Sequence, residues 1–282
     1  MSASDMKEVL YIYDKVMKLQ TIVDIGKAPF SINARHRVLL TGSCFADNIG
    51  HRLQEDMLQA MVNPHGVMYN PASVMHSVER TLKNNDGPQV DIAIMTLGTN
   101  HVYILNETGE IVDNCNKRPQ ALFTERKLSV EECTQYLRET IGMLKAQNAE
   151  TKVILTVSPI RYAKYGFHES QLSKATLLMA VEQVCNDTDI SYFPAYEIVN
   201  DELRDYRFYA PDMLHPSAQA VEYIYEKFKD TYFAEDTIKM VEEWQPIKRA
   251  LGHKPFNADS DEYRAFLAKA EEDKETFLKR WR

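Results

Sequence analysis

The sequence has few cysteines, no long apolar run and no surplus of positive charge, and each absence removes a class of protein. Its four cysteines stand at positions 44, 115, 133 and 185. No two are close enough for CxxC metal chemistry or a disulfide framework, and the pattern fits a reducing compartment. No apolar stretch approaches the roughly 20 residues that span a bilayer. The opening MSASDMKEVLYIYDKV lacks the basic start, apolar stretch and small-residue cleavage site of a secretory signal. The chain is therefore expected to be cytoplasmic, with no membrane partner. Lysine and arginine number 33 against 41 aspartates and glutamates, a formal charge of −8. Such a surface repels phosphate backbones, which removes nucleic acid as an expected partner. Internal repeats and low-complexity tracts are also absent.

What is present is a chain of 282 residues, 44% apolar and 26% charged, an ordinary globular composition. A chain of this size buries roughly three quarters of its unfolded surface and folds without covalent staples. Short apolar runs alternate with helical stripes. Val38-Leu39-Leu40 reads as a strand ending at Gly42, followed by a stripe of Phe45, Ile49, Leu53 and Met57. Leu58 to Val62 is a weaker second strand. Asn70-Pro71 offers a helix cap and first helical residue. Ile92 to Leu97 is apolar on both faces, as a central parallel strand should be. Val102 to Leu105 and Ile111 to Val112 flank Asn106-Glu107-Thr108-Gly109 and read as an inserted hairpin. Ser129-Val130-Glu131-Glu132 is a capping box whose helix turns Cys133, Leu137, Ile141 and Leu144 inward. Val153 to Val157 and Ile190 to Phe193 complete the strands, with helices expected over Gln171 to Cys185 and Ala218 to Phe228. Beyond about residue 233 only a helical stripe continues, through Tyr263, Phe266, Leu267, Ala270, Phe277, Leu278 and Trp281.

Alternating strands and helices predict an α/β fold with a parallel sheet and helices on both faces. Ligands in such sheets bind at the carboxyl ends of the strands. Gly42-Ser43, Gly98-Thr99-Asn100 and Ser158-Pro159 all follow strand ends, so the fold gathers them on one rim.

A serine nucleophile needs a base, a group that orients the base, and donors for the developing oxyanion. Ser43 follows a strand and opens a helix, where free N–H groups and the positive dipole end suit an anion; the plainer role is a helix cap. Asp212-Met213-Leu214-His215 spaces a carboxylate to reach the imidazole Nδ1 and leave Nε2 outward; the plainer reading is a loop acid and a structural histidine. Asn100 can donate its amide and Gly66 its N–H to an oxyanion, or both can be ordinary turn residues. Cys44, one residue into the helix, is expected to be a small thiol pointing at the sheet. Lys174 and Arg161 are candidates for contacting an acidic substrate, against the plainer reading of solvated charges.

The order is an early strand-end serine, Gly-x-Asn after a middle strand, and a late Asp-x-x-His. This is similar to the block layout of SGNH (GDSL-like) hydrolases. Gly42-Ser43-Cys44-Phe45-Ala46 makes the resemblance specific to the GSCFA family, a branch that looks like that clan. Four further segments resemble the family: residues 63–71, Leu97-Gly98-Thr99-Asn100, Gln171-Leu172-Ser173-Lys174-Ala175 and Asp212-Met213-Leu214-His215-Pro216-Ser217. The resemblance implies a three-layer α/β/α sandwich around a five-stranded parallel sheet. It implies Ser43 as nucleophile, His215 as base and Asp212 as its partner. It also implies an oxyanion hole from the Ser43 N–H, the Gly66 N–H and the Asn100 amide, with no metal or organic cofactor. The chain departs from the family after Gly98-Thr99, where Asn100-His101 replace a small residue and an aromatic one. It departs again at Asn116, where relatives tend to carry a histidine. His65, His101, Asn116 and Lys174 are taken as possible pocket residues.

The function expected is hydrolysis of a small-molecule or carbohydrate ester, such as an O-acetylated sugar. The alternatives are acyl transfer by the same triad, or a catalytically silent binding module on the same fold. The expected organisation is an N-terminal extension over residues 1–16, a hydrolase domain over 17–233 and a helical extension over 234–282. The extension would pack on the domain or on a partner, a homodimer included.

Overall fold

The computed structural model describes residues 20–83, 89–185, 188–257 and 260–281. The expected extension over residues 1–16 lies outside them. Five parallel strands form the central sheet: β1 (Arg37–Gly42), β2 (Gln59–Val62), β3 (Ile92–Leu97), β7 (Lys152–Val157) and β8 (Ile190–Tyr192). Their order across the sheet is β2-β1-β3-β7-β8. Every residue of β3 is buried, as its largely apolar run requires, while the edge strand β2 alternates between exposed and half-buried positions.

The helices are α1 (Cys44–Glu55), α2 (Pro71–Leu82), α3 (Val130–Gln147), α4 (Phe167–Glu182), α5 (Ala218–Tyr232), α6 (Glu235–Leu251) and α7 (Asp261–Trp281). Leu40, Phe45, Ile49, Ile94, Ile154, Ile224 and Phe228 pack one face of the sheet with α1 and α5. Leu39, Val74, Val78, Met95, Leu137, Leu155 and Leu177 pack the other with α2, α3 and α4. The result is the three-layer α/β/α sandwich. Local signals place the helix starts. Asn70 accepts from Ser73 N at 2.9 Å ahead of Pro71, and Ser129 and Glu132 close the expected capping box.

Three readings need correction. The hairpin β4 (His101–Leu105) and β5 (Ile111–Val112) is one part of a three-stranded antiparallel sheet completed by β6 (Phe123–Lys127). The β6 sequence Phe-Thr-Glu-Arg-Lys is mostly exposed, so it carries no apolar alternation to reveal it. Met57 does not continue the α1 stripe, because the helix ends at Glu55 and Met57 takes a positive φ of 69°. Helix α4 starts at Phe167, earlier than Gln171, and ends at Glu182, three residues short of Cys185.

The C-terminal helices pack on the sandwich. Trp244 Nε1 donates to the Glu55 carbonyl at 2.8 Å, at the end of α1. The buried Asp56 carboxylate accepts from Tyr225 Oη and Gln245 Nε2, both at 2.9 Å. The Phe277 ring lies 5.1 Å from Trp244, which seats α7 on α6. Among the described residues, no helix is long and apolar enough to cross a membrane.

Candidate active site

Strand order reverses direction between β1 and β3, and this switch point is where the chain sets Ser43 and Gly98. Two glycines allow the approach. Gly42 has φ +142°, and a Cβ there would lie 2.1 Å from the Thr96 carbonyl oxygen. A Cβ on Gly98 would meet Tyr69 at 3.2 Å and Ser43 Cβ at 3.6 Å. Tyr69 and Ser43 thus crowd the same glycine.

Ser43 caps α1, with Oγ accepting from Phe45 N at 3.3 Å. The same Oγ shares a 3.0 Å hydrogen bond with Thr96 Oγ1, and Ser43 is only 1% exposed. Cys44 is half-buried, and its Sγ lies 3.4 Å from Tyr69 Oη. The expected thiol packed at the core is thus half-buried, while the neighbouring Ser43 is fully buried.

Asp212 and His215 come together as the spacing predicts. His215 Nδ1 lies 2.5 Å from Asp212 Oδ2, while Asp212 Oδ1 accepts from the backbone N–H groups of Leu214 at 2.9 Å and His215 at 3.0 Å. Those backbone donors, with the imidazole, hold the Asp212 carboxyl down to about 2. Arg161 ties this loop to the end of β7, with its N–H on the Leu214 carbonyl at 2.9 Å and Nη1 on the Met213 carbonyl at 3.1 Å. Ser43 Oγ is bonded to Thr96 and Phe45, not to His215.

The expected oxyanion donors are all engaged elsewhere. Ser43 N donates to the Thr96 carbonyl at 3.0 Å, and Gly66 N to the Asn63 carbonyl at 2.9 Å. Asn100 Nδ2 donates to the Leu128 carbonyl at 2.7 Å, and its own backbone N–H goes to Ser173 Oγ at 2.8 Å. Each of these three donors is therefore committed to a carbonyl in the structure.

The possible pocket residues also divide. His65, Gly66 and Asn116 line one cleft with His76, Arg80 and Asp113, where Asp113 accepts from Arg80 at 2.6 Å and pairs with His76 at 2.8 Å. His101 is buried, stacked 4.0 Å from Tyr165, and desolvation lowers its pKa. Lys174 is buried too, contrary to the rim position expected of it. Its Nζ donates to the Gly98 and Ser158 carbonyls, both at 2.7 Å, and burial pushes its pKa down to about 7. It joins the ends of β3 and β7 from inside. Thr96, Tyr69 and Ser173 shape this rim, and none of them stands out in the sequence as a candidate site residue, although Tyr69 and Ser173 lie in segments that resemble the family. Among the described residues, no cluster of His, Cys, Asp and Glu is arranged to hold a metal.

This is a parallel α/β sandwich with an acid–histidine pair and a helix-capping serine on its carboxyl rim. The chain belongs to the GSCFA family: the family model matches residues 37–89 and 85–228, and that of the GSCFA C-terminal domain matches 244–281. No curated protein matches the chain. Among solved structures it is similar to a carbohydrate esterase family 3 protein from Talaromyces cellulolyticus. The two share 10% identity over 74% of this chain and 99% of the other, with TM-score 0.42. A variant of an acetyl-xylooligosaccharide esterase from Geobacillus Stearmophilus shares 11% identity over 72% and 96% of the two chains, with TM-score 0.44. A lipase from a goat rumen metagenome shares 10% over 71% and 99%, with TM-score 0.42.

Proposed function

We propose that the protein is a serine ester hydrolase acting on a small ester or an O-acetylated sugar, with Ser43 as nucleophile, His215 as base and Asp212 as its orienting partner. The observation that carries this reading is the Asp212–His215 pair. A carboxylate at 2.5 Å on Nδ1, itself fixed by two backbone N–H groups, sets the tautomer that leaves Nε2 to accept a proton. Ser43 supports the reading from the other side, because it heads a 12-residue helix at the switch point of the sheet. The positive end of that helix favours negative charge there.

In the reaction, Ser43 Oγ exchanges its bond to Thr96 for one to His215 Nε2. Oγ then attacks the ester carbonyl as His215 takes its proton. The alkoxide leaves with that proton, and water repeats the sequence to release the acid and restore Ser43. The first turn of α1 is the remaining source of oxyanion donors in this scheme. The burial of Ser43 and the engagement of the expected donors favour a second reading, a module that binds such a ligand without turning it over.

Hydrolysis of p-nitrophenyl acetate by the wild type and by Ser43→Ala, both shown folded by circular dichroism, decides between the two. Turnover in the wild type that disappears in the folded variant supports the hydrolase. Equal rates from the two proteins remove Ser43 as the nucleophile for this ester.

A further inference from the structure

Beside the Asp212–His215 loop, a second cleft of about 250 Å³ opens between the β7 loop and the segment that follows β8. Arg161 and Arg204 line it together with Tyr206 and Tyr209. Its walls are fastened to the loop of His215. Tyr209 pairs with Pro216, Ala210 N donates to the His215 carbonyl at 2.7 Å, and Arg161 holds the Met213 and Leu214 carbonyls.

The backbone that presents Arg204 is unusual. Ile198–Leu203 form a π-type turn, and Arg204 closes it with φ 28° and ψ 40°, a conformation costly for a residue with a side chain. Such turns recur at functional sites. Asp201 pairs with Arg204 at 3.9 Å from Nη1, too long for a hydrogen bond. Asp205, the acidic residue of the lining, is occupied by Arg207 through its backbone N–H at 2.8 Å and its Nε at 3.6 Å. The Arg161 guanidinium lies over Phe167 at 4.0 Å and beside Tyr209 at 5.4 Å, so its fork is held in place. Two guanidinium groups therefore line a cleft whose one lining carboxylate, Asp205, is engaged by Arg207, on a chain whose net charge is −8.

The rest of the lining is suited to hydroxyl groups. Gln171 uses Oε1 to accept from Tyr196 Oη, and Asn200 uses Nδ2 to donate to the Tyr196 carbonyl at 2.8 Å. Among the described residues, Gln171 Nε2 and Asn200 Oδ1 have no bond, which leaves one amide donor and one amide acceptor. Tyr206 is 67% exposed and gives a flat ring face. We propose that this cleft binds an anionic sugar, with Arg161 and Arg204 clamping a carboxylate or phosphate, the amides taking ring hydroxyls and Tyr206 packing on the ring. The inference rests on the hydrolase reading for its consequence, that the ester turned over beside His215 belongs to a charged carbohydrate. The binding itself does not depend on turnover.

The test is an NMR titration of the full chain, following arginine Nε–Hε signals, with glucuronate, glucose 6-phosphate and glucose at constant ionic strength. Glucuronate or glucose 6-phosphate should shift Arg161 and Arg204 where glucose does not, and whichever anion binds names the anionic group. Affinity for it should fall about tenfold in Arg204→Gln, the loss expected for one charged hydrogen bond, and by less in Arg161→Lys, which keeps the charge without the fork. Binding of neither anion above glucose overturns the proposal, as does anion binding that Arg204→Gln leaves unchanged. Anion binding by a protein that shows no esterase activity would sink the hydrolase reading and leave the cleft standing.

Discussion

The two halves of the candidate site are built in opposite ways. The Asp212–His215 half is exposed, with side-chain exposures of 46% and 42% and every bond to Asp212 within three residues of chain. The Ser43 half is buried, and its Oγ is held by Thr96, 53 residues away. The difference shows that a short loop can preassemble a base with its orienting acid. The setting of Ser43 depends instead on strand ends that lie far apart in the sequence.

The largest effect that tests this contrast is loss of either partner. Ser43→Ala and His215→Ala should each lower kcat for an ester by about 10⁵–10⁶ in a folded protein. If only His215→Ala does so, the buried serine is not the nucleophile. Asp212→Asn should cost about 10⁴ in kcat, because the imidazole loses the tautomer that exposes Nε2. A loss of less than about tenfold in Asp212→Asn would mean that the preassembled pair is not used.

Asn100→Ala sharpens the other half. With its amide committed to the Leu128 carbonyl, the change should alter kcat by only a few-fold and lower unfolding stability by about 1–3 kcal/mol. A drop of about 10²–10³ in kcat at unchanged stability would return Asn100 to the oxyanion hole. The smallest effect is a slope. Burial lowers the Lys174 pKa from 10.5 to about 7, so between those values the unfolded chain holds a proton that the folded chain lacks. Stability attributable to Lys174 therefore rises with pH across that window. Urea unfolding of the wild type and Lys174→Met at about pH 7 and about pH 9 should show the difference moving in favour of the wild type; no movement would mean that the amine is not desolvated.

Much of the fold is legible in the residues alone. The mostly apolar run of β3, the capping box at Ser129 and the Asn70-Pro71 start mark elements by local rules. The exposed strand β6 is not legible, because its residues pair with β4 without burying an apolar face. Lys174 misleads for the complementary reason: its charge suggests solvent, yet two carbonyls 76 and 16 residues away draw it inside.

Local chemistry along the chain fixes the alternation of strands and helices and the Asp212–His215 pair, since caps, apolar runs and an i, i+3 contact need no distant partner. Three outcomes come only from the way the chain folds back on itself. Ser43 lies against Thr96, Asn100 spends its amide on the Leu128 carbonyl, and Arg161 and Arg204 share a cleft. The first two depend on which groups the folded sheet brings within about 3 Å of one another, since a hydrogen bond goes to whichever partner is nearest and best aligned, and the third on which loops end side by side.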